Sequence, residues 1–351
     1  RRCRLAPVVQ KSHVSEAMTS PMSSGLARAR AVRALTDVGL PTDGLVRADS
    51  VTNEVWLTEH YVVRVNRDAS PRLYREAVLS QVLPPEVGYP PIVQHGGDIG
   101  SDWLVLERIP GVPLSRAWPT MSVAERRRAV SQLAQRLRAI HSTVCPRLEG
   151  LGAVPQLLDP APTGAQAVIR LLESIDQAAR LPNVDPAIMG EAADMVTRLC
   201  SALDPFDSHT IVHGDLTFEN VMWDGHDVAA MLDFEFARPG PADLDLDVLL
   251  RFVSLPQLHV AADYEAQTKA EDYADVPWWL AEDYPELFAH PRQFDRSRIY
   301  SLAWDVREML AFPPHDNLRN LHRHHPYRRL ANVLRGTSYL DRLNGAVVHD
   351  F

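Results

Sequence analysis

Residues 211–235 constrain this chain more than any other stretch. Thr210 to His213 reads as a short strand; Asp215 follows it, Asn220 comes five residues later, and Asp233 ends a second apolar run, Val228 to Leu232. Val221-Met222-Trp223 and Val228 to Leu232 flank Asp224-Gly225, a turn pair that favours a β-hairpin. Such a hairpin folds Asp233 back beside Asn220. One carboxylate in a loop can orient a hydroxyl and accept its proton, while an amide oxygen and a second carboxylate suit a hard cation such as magnesium. Phosphoryl transfer from a nucleotide asks for little more than these groups and a cation on the phosphates.

Upstream, the pattern divides in two. Residues 25–38 place Leu26, Val32, Leu35 and Val38 near one helical face, and Gly39 ends the pattern. Residues 54–58 and 61–65 alternate as two short strands, and Ser70-Pro71 opens a helix that runs to about Leu83. Ile92-Val93 and residues 103–106 are further strands. Ile109-Pro110-Gly111-Val112-Pro113 then punctuates the chain sharply, and helical patterns follow. Ser122 with Glu125 forms a capping box for a helix to His141, and Asp185-Pro186 starts another to Leu203. Residues 245–253 and 291–339 are again mostly helical. The expected organisation is an extension over residues 1–24, disordered or added upstream and outside the fold; a nucleotide-binding lobe over 25–107; a linker over 108–113; and a catalytic and substrate-binding lobe over 114–351.

The 351-residue chain is long enough for two lobes and a real core, and its 46% apolar and 23% charged residues are ordinary for a globular protein. Its net charge of -9 argues against nucleic acid as the main partner. No apolar run approaches the roughly 20 residues that a membrane span needs. Cys3, Cys145 and Cys200 have no metal or disulfide spacing and fit a reducing compartment, so the cytoplasm is the default location. A monomer or homodimer is expected.

His213-Gly214-Asp215 with Asn220, the triplet Asp233-Phe234-Glu235, and Gly240 to Leu246 together resemble the aminoglycoside phosphotransferase family, within the protein-kinase-like superfamily that includes choline and fructosamine kinases. The resemblance covers roughly residues 45 to 310. It implies an α+β, bilobal protein-kinase-like fold, with a small β-rich N-lobe carrying one helix and a larger, mostly helical C-lobe. By the same resemblance Asp215 is the catalytic base, Asn220 and Asp233 bind Mg2+, and Asp245 braces the catalytic loop with His213 as structural support. Arg64 falls at the phosphate-binding cation and Glu76 at the helical carboxylate that pairs with it. Trp103 to Gly111, with Glu107 and Ile109, resembles the inter-lobe segment whose backbone meets the base of ATP or GTP. The implied activity is transfer of the γ-phosphate to a hydroxyl of a small molecule, an aminoglycoside or related antibiotic, with resistance as the consequence. Macrolides, peptide antibiotics, and amino alcohol or sugar metabolites are alternative acceptors, and a catalytically weak nucleotide-binding pseudokinase is an alternative class.

Three departures from the kinase pattern stand out. Arg64 replaces the Lys of protein kinases, a substitution whose fork suits phosphate geometry. No Gly-rich loop precedes it, so the candidate phosphate loop is Ser50-Val51-Thr52-Asn53, with Ser50 and Asn53 as cofactor-binding candidates. Glu235 stands where protein kinases have Gly, as a carboxylate either for the metals and acceptor or for a hydrogen bond within the loop.

Residues 261–290 hold eight acids against the single Lys269, interleaved with aromatics. Asp272, Asp275, Glu282 and Asp283 could meet a cationic acceptor there by ion pairing, with cation–π support; they could equally belong to a solvated helical surface. The basic stretch from Arg319 to Arg329, with His322, His324 and His325, reads as an exposed helix end.

Overall fold

The computed structural model describes residues 24–48, 50, 53–67, 69–146, 163–207, 209–314 and 321–341. The expected extension before residue 24 and the loop residues Val51 and Thr52 lie outside the described residues. Helix α1 (Ser24–Asp37) precedes a five-stranded antiparallel sheet built from β1 (Val46–Ala48), β2 (Asn53–Leu57), β3 (Tyr61–Asn66), β4 (Ile92–Gly96) and β5 (Trp103–Glu107), in the order β1-β2-β3-β5-β4. Helix α2 (Arg72–Ser80) lies between β3 and β4 in sequence.

Strand β3 shows how the sheet serves the site. Side chains alternate along a strand, so the fully buried Val63 and Val65 pack with Ala27, Ala31 and Leu35 of α1. Val62 and Arg64 take the opposite face, where they line a cleft. The register sets Arg64 between Val55 on β2 and Leu104 on β5. Val55 lines the cleft as well.

Residues 109–113 are more than a connector. Val112–Pro113 forms strand β6, which pairs with β8 (Val221–Trp223) and through it with β9 (Val228–Met231). Gly111, at φ 116°, makes this possible, because a Cβ there would strike the Trp223 carbonyl. The loop between β8 and β9 is longer than a two-residue turn. Trp223 pairs with Val228, and the Asp224 carboxylate accepts the N–H groups of His226 and Asp227, both at 2.8 Å.

The large lobe contains α3 (Leu114–Ala117), α4 (Val123–His141), α5 (Gly164–Ala178) and α6 (Pro186–Leu199), then β7 (Ile211–Val212) and β10 (Arg238–Pro239), which pair. Helices α7 (Asp243–Ser254), α8 (Val276–Asp283), α9 (Gln293–Ala311) and α10 (Pro326–Arg335) follow. Its core has two parts, one around Trp118, Phe218, Phe234 and Phe252, the other between α5, α6, α9 and α10.

Side-chain caps open four of the helices, α4, α5, α6 and α10. Ser122 and Glu125 close a reciprocal capping box on α4, and Asp185 caps α6 through Ala187 N–H at 2.9 Å. Helix α2 departs from expectation. It begins at Arg72, with Ser70 Oγ accepting the Arg72 N–H at 3.3 Å, and it ends at Ser80 rather than Leu83. Helix α5 is an addition to the elements expected from sequence; Thr163 caps it, and Ala167, Leu171, Ile175 and Ala178 form its buried stripe. No helix of the described residues is long and apolar enough to cross a membrane.

Candidate active site

The cleft between the sheet and the β8–β9 hairpin has a volume of about 490 Å³. Val55, Leu57, Val62, Leu106 and Ile109 supply apolar surface on one side, with Met222 and Leu232 of the hairpin on the other. Ile109 makes no backbone hydrogen bond within the described chain, which leaves its N–H and C=O available to the edge of a planar base. Glu107 also lines the cleft, but its own N–H is bound to the Pro91 carbonyl at 2.9 Å.

At the inner end, Arg64 collects three carboxylates. Its guanidinium lies 2.5 Å from Glu76, 2.8 Å from Asp233 and 3.5 Å from Glu235. Glu76 is fully buried, and its second oxygen accepts the Tyr89 hydroxyl at 3.0 Å and the Phe234 N–H at 3.2 Å. Burial disfavours charge on Arg64, but the acids around it outweigh this and hold its pKa well above the ordinary value. Asn53, at the start of β2, donates its amide to Glu235 at 3.0 Å. Ser50 binds the Asn53 carbonyl through its hydroxyl. Burial, reinforced by the charge of Asp233, pushes Glu235 up to about 8 against the pull of Arg64.

Asp233 adopts φ 64°, ψ 60°, a left-handed conformation that a residue other than Gly takes at a cost of about 1–3 kcal/mol. The contacts of Asp233 with Arg64 and of Phe234 N–H with Glu76 hold it there. The strain aims the carboxylate into the cleft, where Asp233 is a lining residue.

The loop carrying Asp215 is braced from below. Asp245, in the first turn of α7, accepts the N–H of His213 at 2.7 Å with one oxygen and that of Gly214 at 2.8 Å with the other. His141, at the end of α4, approaches the same carboxylate at 3.0 Å. Burial pushes Asp245 up, but the hydrogen bond and charge of His141 and the backbone donor outweigh it and hold the group below its ordinary range. Gly214 sits at φ 81° against the Phe236 carbonyl and Arg238, so a Cβ has no room there. His213 Nε2 lies 2.9 Å from the Leu232 carbonyl while its Nδ1 accepts the Asp215 N–H at 3.3 Å. In that pattern Nε2 donates to the carbonyl and Nδ1 accepts, so both ring nitrogens tie the loop to its surroundings.

Asn220 donates its amide to the Asp215 carbonyl at 2.8 Å and to the carboxylate at 3.2 Å. Burial, with Asp233 nearby, pushes Asp215 up to about 6, and the Asn220 hydrogen bond opposes this only in part. A carboxylate so placed is a stronger base than one in water, yet ionised at neutral pH.

The residues fit a magnesium ion. With the Asn220 amide nitrogen engaged by Asp215, its oxygen is left as an acceptor, and Glu235 Oε1 is buried with no hydrogen-bond partner. Both oxygens, with the Asp233 carboxylate, belong to residues that line the same cleft, and oxygen donors of this kind suit magnesium when phosphates complete its shell.

A family model described as the phosphotransferase enzyme family matches residues 45–279. The chain belongs to this family. Among curated proteins, the aminoglycoside 3'-phosphotransferase of Streptomyces ribosidificus is 24% identical over 174 residues, which span 49% of this chain and 61% of that relative. Among solved structures, ADP-bound aminoglycoside phosphotransferase APH(2'')-Ib aligns with TM-score 0.59 at 13% identity, covering 91% of this chain and 99% of that one. A choline/ethanolamine kinase family protein from Mesorhizobium loti aligns with TM-score 0.56 at 17% identity, covering 92% and 98%. The GDP complex of aminoglycoside 2'-phosphotransferase-IIIa gives 0.59 at 14%, covering 92% and 100%. The fold of the chain is thus the bilobal, protein-kinase-like one.

Of the expected site residues, the cleft brings together Ser50, Asn53, Arg64, Glu76, Glu107, Ile109, Asp215, Asn220, Asp233 and Glu235, with His213 and Asp245 behind the loop. The acids expected on the substrate side do not join them. Asp272 lies 3.5 Å from Arg126, Glu282 lies 3.1 Å from Arg127, and Asp283 pairs with Arg127 as well. Asp275 is exposed just before α8. None of the four lines the cleft. The charges of Glu282 and Asp283 belong to the α4–α8 packing, and Asp272 meets α4 from the turn before α8. In the basic stretch, Arg319 lies outside the described residues, His325 caps α10, and Arg329 binds Asp305 at 2.8 Å. Tyr89, His141, Arg116 and His259 are site residues that sequence reasoning missed. Nothing in their neighbours along the chain marks them.

Proposed function

We propose that this phosphotransferase moves the γ-phosphate of ATP or GTP to a hydroxyl of a small molecule, with Asp215 as the base. The observation that carries the reading is the placement of Asp215, raised to about 6, in one cleft with Asn220, Asp233 and the Arg64–Glu76 pair. The apolar slot beside Ile109 takes the nucleobase, and Arg64, positioned by Glu76, holds phosphate oxygens in its planar fork. Asn220 and Asp233, with Glu235 adjacent, would hold magnesium, which supplies neutralisation of phosphate charge when bound. Asp215 orients the acceptor hydroxyl and takes its proton, while Asn220 and His213 fix the loop that presents it.

Aminoglycosides and related antibiotics are the first acceptors to test, since three of the relatives are named for them, and resistance would follow from such an activity. One observation favours a second acceptor class, a metabolite rather than a polycationic antibiotic. Asp272, Glu282 and Asp283 pair with α4 arginines, and none of the three lines the cleft.

The test is transfer of labelled phosphate from ATP or GTP, with magnesium, across a panel of antibiotics, amino alcohols, sugars and sugar acids. A labelled product that disappears with Asp215→Asn supports the reading. Nucleotide binding without transfer to any acceptor would favour a scaffold role instead.

A further inference from the structure

The acceptor half of the cleft holds one more group of defined chemistry. Arg116, on the four-residue helix α3, lines the cleft together with Asp215, Thr217, Glu219 and His259. Its guanidinium lies 4.7 Å from the centre of the Tyr264 ring, which holds it in place by cation–π contact and leaves its in-plane N–H donors available. Arg64, Arg126, Arg127, Arg251 and Arg296 all have a carboxylate partner. Arg116 forms no ion pair among the described residues, and its Nε is buried without a hydrogen-bond partner. Glu219, a carboxylate lining the same cleft, takes the Ser115 hydroxyl.

A half-buried guanidinium with no counter-charge costs free energy unless a ligand supplies that charge. No carboxylate of the described residues pairs with it, and His259, held down to about 3 by burial and by the charges of Arg251 and Arg329, adds no second positive charge that would compete for an anion. Resting on the phosphotransferase reading, we propose that Arg116 anchors an oxyanion, a carboxylate or phosphate, carried by the acceptor alongside its reacting hydroxyl. The planar fork of Arg matches either group in a bidentate pair. An anionic acceptor needs such a cation in particular, because Asp215, Glu219 and the donor phosphates would otherwise repel it.

The test uses the full chain saturated with ADP and magnesium. Wild type, Arg116→Gln and Arg116→Lys are titrated calorimetrically with D-gluconate, glucose 6-phosphate, glucose and glucosamine, and the same four compounds are offered as acceptors with ATP. At least one of the two anionic sugars is expected to bind wild type about 10-fold or more tighter than glucose or glucosamine. Arg116→Gln is expected to weaken that binding by about 10- to 100-fold, and Arg116→Lys to recover part of it. Matched melting temperatures exclude misfolding as the cause, and the affinity for ADP stays constant. Gluconate binding alone identifies a carboxylate, glucose 6-phosphate binding alone a phosphate. Equal or better binding of glucose or glucosamine, or an Arg116→Gln effect confined to ADP affinity, overturns the proposal. Binding that depends on Arg116 with no phosphate transferred to these compounds or to any member of the antibiotic, amino alcohol and sugar panel keeps the oxyanion site and removes the phosphotransferase reading.

Discussion

In the cleft, burial and neighbouring negative charge push Asp215 up to about 6 and Glu235 up to about 8. On the α4–α8 face, hydrogen bonds from Arg127 and Arg138 hold Asp283 and Glu286 below the usual carboxylate range. The two regions are alike in residue type and opposite in what their charges can do. An acid already paired with a guanidinium has little left to offer a ligand. An acid left under-partnered in a cleft stores free energy that a proton, a metal or a substrate can release. The number of acids along a stretch of sequence does not separate these cases.

The largest expected effect breaks the cleft side of the comparison. Asp215→Asn should lower turnover by about 100-fold or more, the range for loss of a general base. The same change should stabilise the fold at pH 8. The folded-state value, about 6, lies above the ordinary aspartate value of 3.8 that holds in the unfolded chain. The protonated form is therefore the one folding favours, and that contribution is complete below pH 4 and lost as the pH rises through 6. Asn mimics the neutral acid, so the variant should gain about 1–3 kcal/mol over wild type at pH 8 and almost nothing at pH 4. Melting temperatures across that range check the sign. In wild type, turnover should fall as the pH drops through about 6, as the base becomes protonated. A turnover profile flat from pH 5 to 8 would remove Asp215 from the role of base.

Arg64→Met comes next. Removing the one guanidinium that Glu76, Asp233 and Glu235 share leaves three carboxylates facing one another. A buried pair broken on one side costs about 3–5 kcal/mol, and Glu235 can absorb part of this by staying protonated. Chemical denaturation should register the loss, and nucleotide affinity should fall with it. Adding Glu76→Gln to Arg64→Met should recover stability but not nucleotide binding, which separates the cluster's structural role from its ligand role.

Legibility in the sequence tracks the range of the contacts. His213, Asp215 and Asn220 stand within eight residues on one loop, and Arg64 and Glu76 on adjacent elements, so their spacing carries the chemistry. The hairpin that returns Asp233 is local as well. Contacts between distant parts of the chain leave no such trace. His141 meets Asp245 across 104 positions, Asn53 meets Glu235 across 182, and Arg127 meets Asp283 across 156. The acidic stretch reads as a substrate surface as readily as a solvated one because its partners lie on α4, far upstream. Arg116 is a similar case: only the fold shows that a cation on a four-residue helix lines the same cleft as Asp215.

The smallest expected effect tests the other half of the comparison. Asp283 and Arg127 are partly exposed, at 23% and 33% of their side-chain surface, so their pair is screened by water. Asp283→Asn should cost about 0.2–1 kcal/mol, the range for exposed ion pairs. The depressed value of Asp283 means that its contribution is present above the unfolded value and lost as the pH falls through the folded one. The stability difference from wild type should therefore be seen at pH 7 and vanish in acid. A double-mutant cycle with Arg127→Met should return a coupling of the same small size. The KM for any acceptor should not move, because neither residue lines the cleft. A rise in acceptor KM in Asp283→Asn, without a matching change in Arg127→Met, would return this segment to the substrate side and erase the distinction between the two sets of acids.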